Sequence, residues 1–413
     1  MPRLSSRWTA LPRRLPPASL SLVVVLVALG SCRTAETRDE EPEIATLEQA
    51  MRLLEDRPAW ARHDRELDLT RHPAEKYLAD WVIVLDPGHG GAADRAGYKR
   101  GPTGVREAEM NLRVGLLLKE LLEQAGVTVI LTREGEKSEA ADDTLADTHA
   151  RRAAIANHAP RPDGGTGADL FISLHHNAAS NPDANYTTVW FHGEAAWAEP
   201  ALDAARAIGH RLGESLRTDV GLTGLLMSDQ QMYESGFAVL RHAEVPAVLL
   251  ESSFFTQPEE EQRLRDARYN LREAYAIYEG LCELAYGGRP TQSTPRPLET
   301  RGDDAAADAS SQPAVTFTTT LDDGLPVGWW GGDRNRILPS TISVTLDGRR
   351  LDHRFDPASK ALTFDLPRSD EGGTLAVHHA NLYKHHNFPQ RYRLERSGDA
   401  AWTVEPLGPR RAR

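Results

Sequence analysis

Four side chains far apart in the chain could together carry out metal-assisted hydrolysis: His89, Glu107, His175 and Glu251. Two imidazoles and one carboxylate are the ligand combination of a catalytic zinc that keeps a fourth position open, and a further carboxylate nearby is then a general base for water. The residue types alone leave open which glutamate binds the ion and which takes the proton. Short apolar runs would bring the four together. Val82-Ile83-Val84-Leu85 runs into Asp86-Pro87-Gly88-His89-Gly90-Gly91, Leu170-Phe171-Ile172-Ser173-Leu174 into His175-His176-Asn177, and Ala247-Val248-Leu249-Leu250 into Glu251. Ligands of an open α/β sheet gather beyond the carboxyl ends of its strands, so three strands ending this way point their last residues at one edge. Glu107 opens a helix whose leucines (112, 116, 117, 121) recur at helical spacing before Gly126 stops it. Strand alternation sends His176 to the face opposite His175, which removes it as a rival ligand.

The elements that position these groups alternate. A β-branched strand spans 127–131, helices are expected over about 151–158, 197–216 and 259–286, and the pattern as a whole is an α/β domain with a mostly parallel central sheet flanked by helices. Residues 290–313 turn to Pro, Thr, Ser, Asp and Ala and read as a linker. Beyond it, 314–319, 341–346 and 361–366 alternate at strand period with turn signals between them, which predicts a small all-β, immunoglobulin-like domain over 314–406. Histidines 378, 379, 385 and 386 have no accompanying carboxylate or cysteine pattern and are expected to face solvent, while one of Trp329 and Trp330 is expected in the β core.

The blocks VIVLDPGHGG (82–91), EAEMNL (107–112), LTR (131–133), RAAIAN (152–157), DLFISLHHNA (169–178) and VLRHAEVPAVLLESSFF (239–255) resemble, in order and spacing, the zinc-dependent N-acetylmuramoyl-L-alanine amidases of the amidase-3 type. The resemblance covers about 81–286 and implies a catalytic domain over 79–289. Matched residue by residue, it implies that His89, Glu107 and His175 bind Zn2+ and that Glu251 is the catalytic glutamate. Asn177 completes a His-x-Asn pattern and would orient substrate or support the metal shell. Arg133 and Arg152 also fall on motif positions and read as structural ion-pair formers. The chain departs from the pattern at His176, where a small residue is usual, at Ser252-Ser253, where a Gly is common, and in an insertion over 160–167. The implied reaction is hydrolysis of the amide between N-acetylmuramic acid and L-alanine in peptidoglycan. The rival readings are a non-catalytic, lipid-tethered cell-wall adaptor and a zinc peptidase acting on stem peptides.

The N-terminus reads as an address. Arg3, Arg7, Arg13 and Arg14 precede an apolar run over 20–29 that is too short to span a bilayer, as in a secretory signal peptide over 1–31. Leu29-Gly30-Ser31-Cys32 resembles a lipobox, so Cys32 is expected to carry a membrane-anchoring lipid, followed by a tether and short helical lead-in over 32–78. Arg33 stands where an inner-membrane retention signal would have Asp, which points to the periplasmic face of an outer membrane, or to the cell surface where there is one membrane. Cys282, the second of two cysteines, sits in an apolar helical stretch and reads as a buried thiol. A formal net charge of −12 argues against nucleic acid as a partner. Peptidoglycan is the expected partner, and no activator protein is identified by the sequence.

Overall fold

The run Val82–Pro87 (β1) is apolar on both faces because both faces are covered. Ile83 and Leu85 pack into one hydrophobic layer, Val82 and Val84 into the other. The same division repeats in Leu170–Asn177 (β3) and Ala247–Phe254 (β6), where Ile172, Leu174, Val248 and Leu250 face the first layer and Phe171 and Leu249 the second. The computed structural model describes residues 69–90, 99–135, 145–162, 164–195, 197–218, 226–298, 315–325, 336–367, 371–388, 390–397 and 401–407. The expected signal peptide, Cys32, most of the expected tether and lead-in, and Trp329-Trp330 lie outside the described residues.

Thr128–Leu131 (β2), Thr188–Phe191 (β4) and Leu226–Ser228 (β5) complete a six-stranded sheet in the order β2-β1-β3-β6-β4-β5. β2, β1, β3 and β6 are parallel, and β4 runs antiparallel to β6. Glu107–Gln124 (α1), Ala198–Leu216 (α3) and Ala267–Tyr286 (α6) cover the first layer, and Leu145–Asn157 (α2) and the short Ala238–Arg241 (α4) cover the second. The helix expected over 259–286 is two helices, Pro258–Leu264 (α5) and α6. Asp266 separates them because its side chain accepts a hydrogen bond from Arg268 N (2.9 Å) and caps the second helix. Cys282 is fully buried, and that burial pushes its thiol up to about 12.

The C-terminal part is antiparallel throughout. Ser343–Leu346 (β10), Arg349–Arg350 (β11), Gly372–His378 (β14), Arg391–Ser397 (β15) and Ala401–Leu407 (β16) form one sheet. The other is built from Val315–Asp322 (β9), His353–Asp356 (β12) and Ala361–Leu366 (β13). Thr291–Gln292 (β7) and Arg296–Pro297 (β8), within the stretch read as a linker, pair with β9. Phe317, Val344, Phe364, Leu375, Tyr392 and Leu394 form a core shared by the two sheets.

The C-terminal histidines depart from expectation. His379 is fully buried with Nε2 3.1 Å from the Asp322 carbonyl oxygen. His385 Nδ1 lies 3.2 Å from the Gly288 carbonyl oxygen, and the His386 amide donates to Asp203 Oδ2 on α3 (2.7 Å). Asn381 adds a bond to the Gly287 carbonyl (2.8 Å), and Phe388 packs edge-on against Trp81. His385 and His386 therefore dock the β sheets onto α3 and the end of α6, while His379 is tied within the β part itself, roles that residue type alone does not signal.

Candidate functional site

The carboxyl ends of β1, β3 and β6 meet the N-terminus of α1, and the four sequence candidates come together there. Glu107 is the first residue of α1, completely buried, where the helix dipole favours a negative charge. The loop before it is moored by Glu261, whose carboxylate accepts the amides of Thr103 (2.8 Å) and Val105 (3.2 Å). Glu107 Oε1 lies 3.1 Å from His175 Nδ1 and Oε2 lies 3.0 Å from His89 Nε2. One ligand atom from each of the three residues falls within 4.8 Å of the others. Glu109, on the same turn, pairs with Arg106 instead of joining the cluster.

His89 has a left-handed backbone (φ +62°), which is uncommon for a side chain of this size and persists where the surroundings fix it. Here two arginines do so. Arg152 donates to the carbonyls of Pro87 (3.0 Å) and His89 (2.5 Å), and Arg133 donates to those of Pro87 (2.8 Å) and Gly88 (3.0 Å). Arg152 also pairs with Asp86 at 2.7 Å, and Arg133 donates further to the carbonyls of Ala108 and Gly135.

Asp86, to which sequence reasoning gave no role, anchors this loop. Its carboxylate accepts Thr132 Oγ1 (2.6 Å), Ser173 Oγ (2.7 Å) and Arg152. Burial opposes its charge, but Arg152 and the two hydroxyls outweigh burial and hold it at about 2. A carboxyl depressed in the folded state adds stability above its ordinary pKa and loses it as pH falls toward the folded value. Asp86→Asn is therefore expected to be less stable than the parent by about 2 kcal/mol near neutrality, with the gap closing between roughly pH 4 and pH 2. Denaturant unfolding of both proteins across that range checks it; a gap independent of pH would count against the charge.

Gly88 is the point of closest approach. A Cβ there would lie 2.2 Å from Cε1 and 2.3 Å from Nε2 of the His175 ring, so only glycine lets the two strands' loops meet. Gly88→Ala is expected to push His175 off its position and lower zinc affinity by about tenfold or more, a loss that chelator competition would register.

Glu251 is the register partner of His175 on the adjacent strand, so the two side chains rise on the same face. Its Oε2 is sealed from solvent and has no hydrogen-bond partner. Burial first, and the Glu107 charge second, push its carboxyl up to about 8. Burial brings His175 down to about 4, which leaves a neutral imidazole able to offer a lone pair. Glu107 goes the other way: burial opposes its charge, but His89 and Lys99 keep it well below the carboxylate range. Lys99, missed from sequence, stands 3.6 Å from Glu107 Oε2, and the charge of Glu107 raises the lysine's pKa. Asn177 lies at the end of β3, and its Oδ1 accepts the Ala178 amide (2.8 Å).

His176 points away from the other candidates, as alternation requires. It is buried between the sheet and α1 and α6, with Nδ1 2.9 Å from Asn111 Oδ1 and Nε2 3.0 Å from Glu273 Oε2. Burial disfavours its charged form, yet Glu273 outweighs burial and raises its pKa. Glu273 was detectable in principle, since it sits on the buried stripe of α6 with Asn270, Ala274 and Ile277.

The donor set fits a zinc ion. His89 Nε2 and Glu107 Oε2 are buried, face each other and make no hydrogen bond. Two sealed lone-pair atoms in that relation are costly unless a cation joins them. Two histidines and a glutamate whose ligand atoms lie within 4.8 Å of one another suit zinc by ligand type.

Residues 83–283 match the family model described as N-acetylmuramoyl-L-alanine amidase. The chain is similar to the probable cell wall amidase LytH of Staphylococcus saprophyticus, with 30% identity over 212 residues, covering 51% of this chain and 60% of that protein. It is also similar to N-acetylmuramoyl-L-alanine amidase AmiA of Escherichia coli K12, with 27% identity over 241 residues, covering 50% of this chain and 77% of that protein. The chain thus spans about 60% of the length of the staphylococcal relative. Among solved structures, the catalytic domain of CwlV, an amidase from Bacillus (Paenibacillus) polymyxa var. colistinus, aligns at 24% identity over 49% of this chain and 97% of that chain, with a TM-score of 0.39.

Proposed function

We propose that this protein, whose residues 83–283 are an N-acetylmuramoyl-L-alanine amidase domain of the amidase-3 type, hydrolyses the amide between N-acetylmuramic acid and L-alanine in peptidoglycan. The observation that carries this reading is the three-residue ligand cluster together with the Glu251 carboxyl, whose Oε2 is buried and makes no hydrogen bond.

His89, Glu107 and His175 would hold the ion. A zinc there supplies Lewis-acid polarisation of the scissile carbonyl and makes a nearby water easier to deprotonate. The remaining work belongs to the chain. Glu251 Oε2, on the same face as His175, accepts the proton of the attacking water and later delivers it to the departing nitrogen of L-alanine. Burial and the Glu107 charge raise the Glu251 carboxyl, and a positive charge held by the three ligands would favour its ionised, proton-accepting form. Arg133 and Arg152 fix the His89 loop through its carbonyls, which lets the ligands meet without reorganisation. Asn177, at the end of β3 two residues after His175, is proposed to orient substrate.

The wider setting is part of the same proposal. An amidase of the cell wall acts outside the cytoplasm, and the leader together with a lipidated Cys32 would tether the protein to the membrane facing its substrate. The organisation read from the sequence, with a catalytic domain over 79–289 and a β domain over 314–406, places the tether before the enzyme and the β sheets behind it. Release of dye from labelled peptidoglycan tests the activity. Solubilisation is expected with zinc, is expected to be lost with a chelator, and is expected to return when zinc is added back. Solubilisation indifferent to chelation would contradict the metal reading.

A further inference from the structure

The second histidine of β3 leads from the ligand cluster into the packed layer behind it. The Asn111 amide reaches the Gly88 carbonyl through Nδ2 (3.3 Å) and stands 3.5 Å from Glu107 Oε1. Its Oδ1 faces His176 Nδ1, and the other ring nitrogen of His176 faces Glu273. The His176 amide donates to Glu107 Oε1 (3.2 Å). A continuous path therefore runs from a carboxylate on α6 through an imidazole and an amide to both the ligand carboxylate and the loop that carries His89.

The direction of each bond in this path is forced. The Gly88 carbonyl and the Glu107 carboxylate both accept, so Asn111 must turn its NH2 toward them and its oxygen toward His176. His176 must then donate from Nδ1, and opposite a carboxylate it donates from Nε2 as well. Were Glu273 removed, the ring would lose its second anchor, and Asn111 Oδ1 would lose the fixed donor that steadies its amide between Gly88 and Glu107.

We infer that Glu273 is a positioning residue for the ligand cluster: it fixes His176, His176 fixes Asn111, and Asn111 holds the Glu107 carboxylate and the Gly88 carbonyl in register. This rests on the zinc reading of the site. The alternative is a buried ion pair that only ties α6 to the sheet. Such a pair, when broken, destabilises the protein without changing how a folded molecule binds metal.

The test measures zinc affinity of the full chain by competition with a chromogenic chelator, alongside melting of the metal-free protein. Glu273→Ala is expected to weaken zinc binding by roughly 10- to 100-fold, the range found when partners behind metal ligands are lost. Glu273→Gln keeps an acceptor for His176 and is expected to stay within about threefold of the parent. In an Asn111→Ala background, Glu273→Ala is expected to add little, because the path is already cut. Should Glu273→Ala fail to fold, Glu273→Asp, which withdraws the carboxylate by one methylene, takes its place with the same expected order. Parental zinc affinity in the folded variants, with only the melting temperature lowered, would overturn the inference, as would an undiminished Glu273 effect without Asn111. A parent protein that takes up no zinc would overturn the metal reading and the inference together.

Discussion

Glu251→Gln is expected to give a folded protein that still takes up zinc but releases peptidoglycan fragments at least about a hundredfold more slowly, the scale of a lost general base. The substitution keeps shape and removes only the ability to accept a proton. Glu251 lies within β6, paired with His175 on one side and Thr188 on the other, so its backbone is fixed by the sheet. Its Oε2 makes no bond that the amide would break. Burial and the Glu107 charge raise its carboxyl, so in the metal-free protein ionisation opposes folding as pH rises through neutrality toward 8. The metal-free Gln variant should therefore melt no lower than the parent at neutral pH. Activity within tenfold of the parent, measured under saturating zinc, would remove Glu251 from the chemistry.

The second large effect concerns the ligand carboxylate. Glu107→Gln is expected to reduce zinc affinity by more than about 100-fold and to take activity down with it, since ligand loss should exceed the 10–100-fold cost of losing an outer partner. Oε1 of Glu107 accepts from the His176 amide and lies 3.1 Å from His175 Nδ1, while Oε2 faces His89 Nε2 at 3.0 Å and Lys99 Nζ at 3.6 Å. A glutamine can satisfy the first pair but would offer an NH2 where the cation needs a lone pair. Chelator competition reads the affinity directly. A Glu107→Gln protein that holds zinc as tightly as the parent would leave His89 and His175 without their third partner and would sink the assignment.

The parts of the site legible in sequence are those set by local pattern. Continuous apolar runs betray β1, β3 and β6, and their ends place His89, His175 and Glu251 on one sheet edge. Helical leucine spacing puts Glu107 at the start of α1. Period-two alternation alone sends His176 to the opposite face, where the structure has it. What escaped notice depends on contacts between distant segments or on elements too short to show a period. β5 has three residues, below the length at which alternation can be read, and β4 (Thr188–Phe191) runs apolar from Val189 to Phe191 without alternating. The break before α6 comes from a single capping aspartate inside an otherwise helical pattern. Asp86, Lys99, Asn111 and Glu273 acquire their roles only where α1, β1, β3 and α6 meet. His379, buried in the β part, and the docking histidines 385 and 386 carried no local signal of these roles.

The most direct measurement is the identity of the bond cut: purified peptidoglycan digested by the zinc-loaded, lipid-free protein, with products resolved by mass. The expected products are free stem peptides beginning at L-alanine and glycan strands stripped of peptide, absent with a chelator. Shortened peptides still attached to muramic acid would contradict the account and make the same ligand cluster that of a peptidase.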